Sequence, residues 1–263
     1  MTVAPIDALL IALAAVWGAL AGAALPRAAY RFSVESEDVG LEDVGLEDTG
    51  DDAGWRRSCP EGHPLRGWIG PARCPGCPGT SAPYGSGALR LSLVTSLLCV
   101  GLALATGIRP ELAVWLLLAP VGVLLAAVDL RVKRLPDPLT LPLAAVALAL
   151  LGVAVLLPEH AGDWTTALLG ALALSAGYLV LHLINPGGMG FGDVKLALGA
   201  GAVLGWYGWA TVMLGTFAAF LSGALYGGAL LLARRAGRRT AIPFGPFLIA
   251  GVYAGVLMGA YAA

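Results

Sequence analysis

The chain has 263 residues, 58% of them hydrophobic and 13% charged, with a mean hydropathy of +0.80 and a net charge of −1. A soluble globular domain is about 45–50% apolar and about 25% charged, so composition excludes one and points to an all-α, polytopic membrane protein. The near-zero charge hides an uneven spread. Ten of the 17 acids lie between Glu35 and Glu61, which leaves Asp7, Glu111, Asp129, Asp137, Glu159, Asp163 and Asp193 as isolated acids in apolar surroundings.

In chain order, Met1 to Leu25 is apolar and no Lys or Arg precedes it. A cleaved signal peptide has a basic first region, so 1–26 reads as a retained membrane helix. A spanning helix needs roughly 20 apolar residues, and the apolar runs predict eight: about 5–25, 89–107, 111–130, 138–157, 164–184, 190–206, 208–233 and 243–262. The sixth and seventh are divided only by Trp206-Tyr207-Gly208-Trp209, an aromatic cluster suited to a membrane interface. Residues 27–88 form a loop between the first two helices, and 89–263 a seven-helix core. Within the loop, 33–54 carries a five-residue acidic repeat (Glu37-Asp38-Val39-Gly40-Leu41 and its copies). That period matches neither helix nor strand and its charges repel, so a disordered linker is expected.

Alternation of the spans places 15 of the 16 Lys and Arg residues on one face of the membrane, with Arg109 alone on the other. By the positive-inside rule the loop 27–88 is cytosolic and the protein a multi-pass component of the plasma membrane. The basic loop Arg234 to Arg239 fits lipid headgroups, with no nucleic-acid partner implied.

Asp129 ends one apolar run and Asp193 opens another, both on the cytosolic side; Glu111, Glu159 and Asp163 fall on the opposite face, and Asp137 lies beyond Pro136. Acids at the edge of membrane segments are expensive and usually functional. Two carboxylates close together share one proton, so the ionised member can activate water while the protonated member polarises a carbonyl. Gly190 and Gly192 flank Phe191 ahead of Asp193 and allow close approach of backbone or substrate, and Lys195 adds positive charge at the edge. The same two acids also suit a proton-coupled transporter, or a structural role in which Asp129 pairs with Arg131 or Lys133.

Three segments resemble bacterial type IV prepilin peptidases: Asp129-Leu130-Arg131-Val132-Lys133-Arg134-Leu135-Pro136-Asp137, Gly188-Met189-Gly190-Phe191-Gly192-Asp193-Val194-Lys195-Leu196, and Ile242-Pro243-Phe244-Gly245-Pro246-Phe247. They occur in the family's order. The resemblance implies a membrane aspartyl protease of the Gly-x-Gly-Asp type that removes the short basic leader of type IV pilin or pseudopilin precursors on the cytosolic side. Asp129 and Asp193 would be the catalytic pair, needing no cofactor for proteolysis, with Pro136, Pro243, Phe244 and Gly245 framing the site. A non-catalytic assembly protein of the same fold is a further alternative.

Many members of that family carry two Cys-x-x-Cys pairs in the loop, and some methylate the new N-terminus. Here Cys74-Pro75-Gly76-Cys77 keeps the spacing, whereas the first pair is replaced by Cys59 and His63. Three Cys and one His form an accepted structural zinc set, and a reducing cytosol disfavours disulfides, so Cys59, His63, Cys74 and Cys77 are expected to hold zinc in a knuckle over 59–77. The alternative is three free thiols and a surface histidine. Ser81-Ala82-Pro83-Tyr84-Gly85 matches the family's next segment only faintly, and S-adenosylmethionine is a cofactor only if methyl transfer is retained. Cys99 reads as a small apolar residue, His182 as a packed or interfacial residue near the site, and His160 as a loop residue.

Overall fold

A computed structural model describes residues 5–34, 54–74, 76–77, 87–233 and 242–263. The acidic repeat, Ser81–Gly85 and Arg234–Arg239 lie outside the described residues. Among the described residues every regular element is a helix: α1 (Pro5–Ala24), α2 (Pro26–Phe32), α3 (Ala88–Thr106), α4 (Glu111–Val132), α5 (Asp137–Ala154), α6 (Trp164–Ile184), α7 (Phe191–Gly205), α8 (Trp209–Leu232) and α9 (Gly245–Ala262).

Seven of these helices are long and apolar enough to cross a membrane. They expose large apolar side chains outward, among them Leu13, Leu97, Leu183 and Leu232, as a lipid-facing bundle requires. The sixth expected span, α7, has only 15 residues, about 22 Å at 1.5 Å per residue, less than the roughly 30 Å hydrocarbon layer. It can be short because protein surrounds it: α5, α6, α8 and α9 all pack on it. A helix start at membrane depth is tolerated where neighbouring protein covers it.

Small residues set the closest helix contacts, since lipid tails compete with any bulkier apolar contact. Gly18 and Gly22 press α1 onto α3, where an added Cβ would come within 2.7 Å and 2.5 Å of the α3 backbone. There Ser92 and Ser96 donate to the carbonyls of Ala19 and Ala15. Gly170 and Gly201 join α6 to α7, and Gly215 and Gly251 join α8 to α9, in the same way.

A second departure from expectation, after the short α7, lies in the loop. The loop assigned from residue 27 opens with helix α2, which starts on Pro26 at its first position, where the missing N–H costs nothing. Ala29 and Phe32 of α2 pack against Leu124 and Val128 of α4, one turn from Asp129. The knuckle hangs on α2. Gly70 N donates to the Ala24 carbonyl, Arg31 Nη1 to the Gly67 carbonyl, and Arg56 N to the Arg31 carbonyl. Trp68 stacks on Phe32 at 5.0 Å and lies under the Arg31 guanidinium at 3.9 Å.

Candidate active site

Asp129 occupies the last turn of α4 and Asp193 the first turn of α7. The two helices run antiparallel here, so both acids fall at the same end of the bundle. Asp129 is 4% exposed and Asp193 7%, and like-charge repulsion from Asp129 acts on Asp193. Among the described residues neither is in an ion pair. Among the described residues the ion pair is Lys195 with Asp137, at 2.6 Å, so Asp129 has no bond to Arg131 or Lys133.

Both carboxylates are held by the starts of helices, whose first N–H groups lack intrahelical partners. Asp193 reaches back to its own helix, accepting from Gly190 N at 3.2 Å through Oδ2. Asp129 does the same for a different helix: its Oδ2 accepts from Gly245 N, the first residue of α9, at 2.9 Å. One oxygen of each acid is therefore fixed by a backbone N–H.

Leu135 ties the pieces together. It is buried in the turn after α4 and meets both glycine positions. A Cβ on Gly192 would lie 2.9 Å from Leu135 Cβ, and a Cβ on Gly245 would lie 2.7 Å from Asp129 Oδ2 and 3.5 Å from Leu135 Cδ1. These two glycines are required by close approach. Gly190 is not: its φ of −70° suits any residue, and a Cβ there would meet Asp193 Oδ2 at an ordinary 3.5 Å. Its contribution is the N–H. Pro136 sits between Leu135 and α5, its carbonyl accepting from Leu139 N and Thr140 N. Phe244 is the residue ahead of Gly245 and packs its ring on Tyr178 and Phe220; Pro243 precedes it, half-buried. Lys195 is engaged by Asp137 and the Phe191 ring at the rim.

Sequence reasoning passed over Leu135 and Tyr178. Tyr178 is 1% exposed and feels the Asp193 charge. The available signal was its spacing, since it stands between Ser175 and His182 on one face of α6. His182, read as a packed residue near the site, hydrogen-bonds through Nδ1 to the Met189 carbonyl at 2.8 Å. A separate apolar cavity of about 110 Å³ lies deeper, between α3, α4, α7 and α9, lined by Leu102, Trp115, Leu196, Ala200, Leu248 and Val252. It contains no carboxylate.

The knuckle gathers its four candidate ligands as expected. Ligand atoms of Cys59, His63, Cys74 and Cys77 lie within 4.8 Å of one another. Cys59 Sγ to Cys77 Sγ is 3.7 Å, and His63 Nδ1 is 3.6 Å from Cys59 Sγ and 3.2 Å from Cys77 Sγ. Zinc–sulfur bonds of about 2.3 Å in a tetrahedron give edges of about 3.8 Å, whereas a disulfide needs about 2.05 Å. The set therefore fits a metal ion and not a disulfide. Gly62, at φ +84°, turns the chain so that Cys59 N donates to the His63 carbonyl at 2.9 Å.

The architecture and site define a multi-pass helical membrane protein with two buried, backbone-held carboxylates at one end. Residues 115–228, which include both acids, match the Type IV leader peptidase family. The chain is 37% identical over 210 residues to the prepilin leader peptidase/N-methyltransferase of Aeromonas hydrophila, covering 76% of this chain and 67% of that protein. It is 34% identical over 226 residues to the protein of the same name from Burkholderia pseudomallei (strain K96243), covering 78% and 67%. With the Bacillus subtilis (strain 168) protein of that name it is 32% identical over 170 residues, covering 64% of each. No solved structure matches significantly. The chain belongs to the type IV leader peptidase family.

Proposed function

We propose that this protein hydrolyses the leader–mature junction of prepilin or pseudopilin precursors at the cytosolic face of the membrane, with Asp129 and Asp193 as the catalytic pair. The observation that carries this reading is a pair of buried acids at one end of the bundle, each held by a backbone N–H at the start of α7 or α9 and, among the described residues, in no ion pair. Family membership favours it over transport with the same acids.

The chemistry follows from the shared proton. The ionised carboxylate takes a proton from water as the water oxygen attacks the scissile carbonyl carbon. The protonated carboxyl donates to the carbonyl oxygen, giving a tetrahedral intermediate. Proton delivery to the amide nitrogen then lets the C–N bond break, and the pair returns to one shared proton. The pair titrates as a unit. The N–H groups of Gly245 and Gly190 hold both acids in register before substrate arrives. A basic leader that stays in the cytosol meets the site without crossing the membrane.

The knuckle is assigned structural zinc, held by Cys59, His63, Cys74 and Cys77, separate from proteolysis. Zinc there would brace α2 and, through it, the α4 turn that carries Asp129. N-methylation, the second activity in the relatives' name, is carried over as a second step using S-adenosylmethionine. Co-expression of a pilin precursor with the protein tests the whole reading. Cleavage gives a faster-migrating product whose new N-terminus, by mass spectrometry, reports the cut and any methyl group together. An uncut precursor defeats the peptidase reading; a cut, unmethylated product defeats only methyl transfer. Metal analysis of purified protein should show about one zinc per chain, lost in the Cys74→Ser/Cys77→Ser double variant, with zinc-free wild type rejecting the assignment.

A further inference from the structure

Ser175, Tyr178 and His182 recur at i, i+3 and i+7 on α6, so they share one helical face, and that face meets α7. Ser175 Oγ donates to the Val194 carbonyl at 3.1 Å, and His182 Nδ1 bonds the Met189 carbonyl at 2.8 Å. These two bonds clamp the Gly190–Asp193 run from either side. Tyr178 lies between them with its hydroxyl buried and, among the described residues, without a hydrogen-bond partner.

The surroundings of that hydroxyl join the two halves of the site. The Asp193 charge reaches the phenol. The Tyr178 ring packs on Phe244 at 5.9 Å and on Phe220 at 5.7 Å. Phe244 immediately precedes Gly245, whose N–H holds Asp129. A buried donor without an acceptor is disfavoured, and phenylalanine would fill the same space without that penalty. An idle donor on the helix face that clamps the Asp193 turn is what a site has when the acceptor arrives with the substrate.

We propose that Tyr178 is a further catalytic residue: its hydroxyl donates a hydrogen bond to the scissile carbonyl oxygen as negative charge develops on that oxygen on the way to the tetrahedral intermediate. This rests on the peptidase reading above. No bond to Tyr178 forms or breaks and the hydroxyl keeps its proton; the aspartate pair still moves every proton. Tyr178 supplies a fixed dipole aimed at developing charge in a dry site, where such donors are most effective.

The test compares wild type and Tyr178→Phe as full-length protein in lipid vesicles, with a pilin precursor as substrate. The ring and its packing are retained, and thermal unfolding checks that the fold is intact. The expected result is a fall in kcat of about 10²-fold, typical for removal of one oxyanion donor, with KM nearly unchanged and both limbs of the pH profile in place. A non-cleavable hydroxyethylene analogue of the junction, which presents a tetrahedral oxygen, should bind the variant more weakly than wild type. Wild-type kcat in Tyr178→Phe, or a loss confined to KM, overturns the proposal. So does a loss of kcat with a displaced pH limb, which would make Tyr178 a positioning residue for Asp193. If wild type cleaves and the variant cleaves equally well, only Tyr178 is dismissed; if wild type leaves the precursor intact, the peptidase reading goes with it.

Discussion

Helix α4 buries an acid at each end, and the two ends are built in opposite ways. Glu111, fully buried, stands in the first turn, where the helix macrodipole favours a carboxylate. Its Oε1 accepts from Ala161 N at 3.2 Å. Arg109, two residues before Glu111, donates Nη1 to the Ala260 carbonyl at 2.9 Å. Asp129 stands 18 residues later by chain number, about 27 Å away by helical rise. It is in the last turn, where the macrodipole opposes a carboxylate, and its near neighbour is another acid. Compensation comes from outside α4, through the N–H of Gly245 at the start of α9. Burial of an acid is therefore common to both ends of the helix. What separates them is what lies around each: Glu111 has the favourable end of the macrodipole and one N–H, with Oε2 left without a partner among the described residues, whereas Asp129 has another acid close by.

Breaking the comparison starts at the pair. Asp129→Asn and Asp193→Asn should each lower kcat for precursor cleavage by about 10³-fold or more, since each removes one of two acid–base partners; Glu111→Gln should stay within a few-fold of wild type under the same assay. A precursor shift that survives either Asn variant would remove that acid from the reaction. The pH–rate profile should fall on both sides, on the acid side because no base remains and on the alkaline side because no acid remains. The next largest effect is expected from Gly245→Ala. Its Cβ would lie 2.7 Å from Asp129 Oδ2, and a shift of about 1 Å in a reacting group costs on the order of 10²-fold in rate; KM should change far less.

At the other end the effects should appear in stability rather than in rate. Glu111→Ala strips the acceptor from the buried Ala161 N–H and should cost about 1–3 kcal/mol, read as a lower Tm in lipid vesicles with cleavage retained. Asp163 caps α6, accepting from Thr166 N at 2.9 Å and from the Thr165 hydroxyl. Asp163→Ala should cost about 1 kcal/mol. Hydrogen bonds from Thr165 and Thr166 hold Asp163 below the usual carboxylate range. A lowered folded-state value means that this contribution is present above the ordinary carboxylate range and lost as pH falls through the lowered value. The Tm difference between wild type and Asp163→Ala should therefore narrow on acidification.

Much of this was legible in the linear chain. Spans of apolar residues must be helices in lipid, because no water is there to satisfy a bare backbone, so the eight apolar runs and their near-boundaries could be read directly. Asp129 and Asp193 stood out because acids are so rare in those runs, and Cys59, His63, Cys74 and Cys77 because cysteine and histidine at that spacing have few other uses. Their fourfold convergence, with Cys59 and Cys77 sulfurs 3.7 Å apart, followed from local turns that the intervening prolines and glycines favour. Helix α2 escaped because seven residues carry too short a pattern to stand apart from loop; it is helical because Ala29 and Phe32 find Leu124 and Val128. Leu135 and Tyr178 escaped because an apolar residue and an aromatic in apolar surroundings look like any core residue until their neighbours are known.

The amino-acid order alone determined which segments lie in the bilayer, which acids are costly there, and which side chains can bind a metal, since transfer free energy and ligand chemistry belong to each residue wherever it packs. Only the tertiary structure decided that Asp129 is held by the start of α9 rather than by Arg131 or Lys133, that Lys195 is taken by Asp137, and that the Tyr178 hydroxyl is buried without a partner among the described residues. Those outcomes depend on contacts between residues as far apart as 116 positions, which helix packing sets and no local pattern encodes.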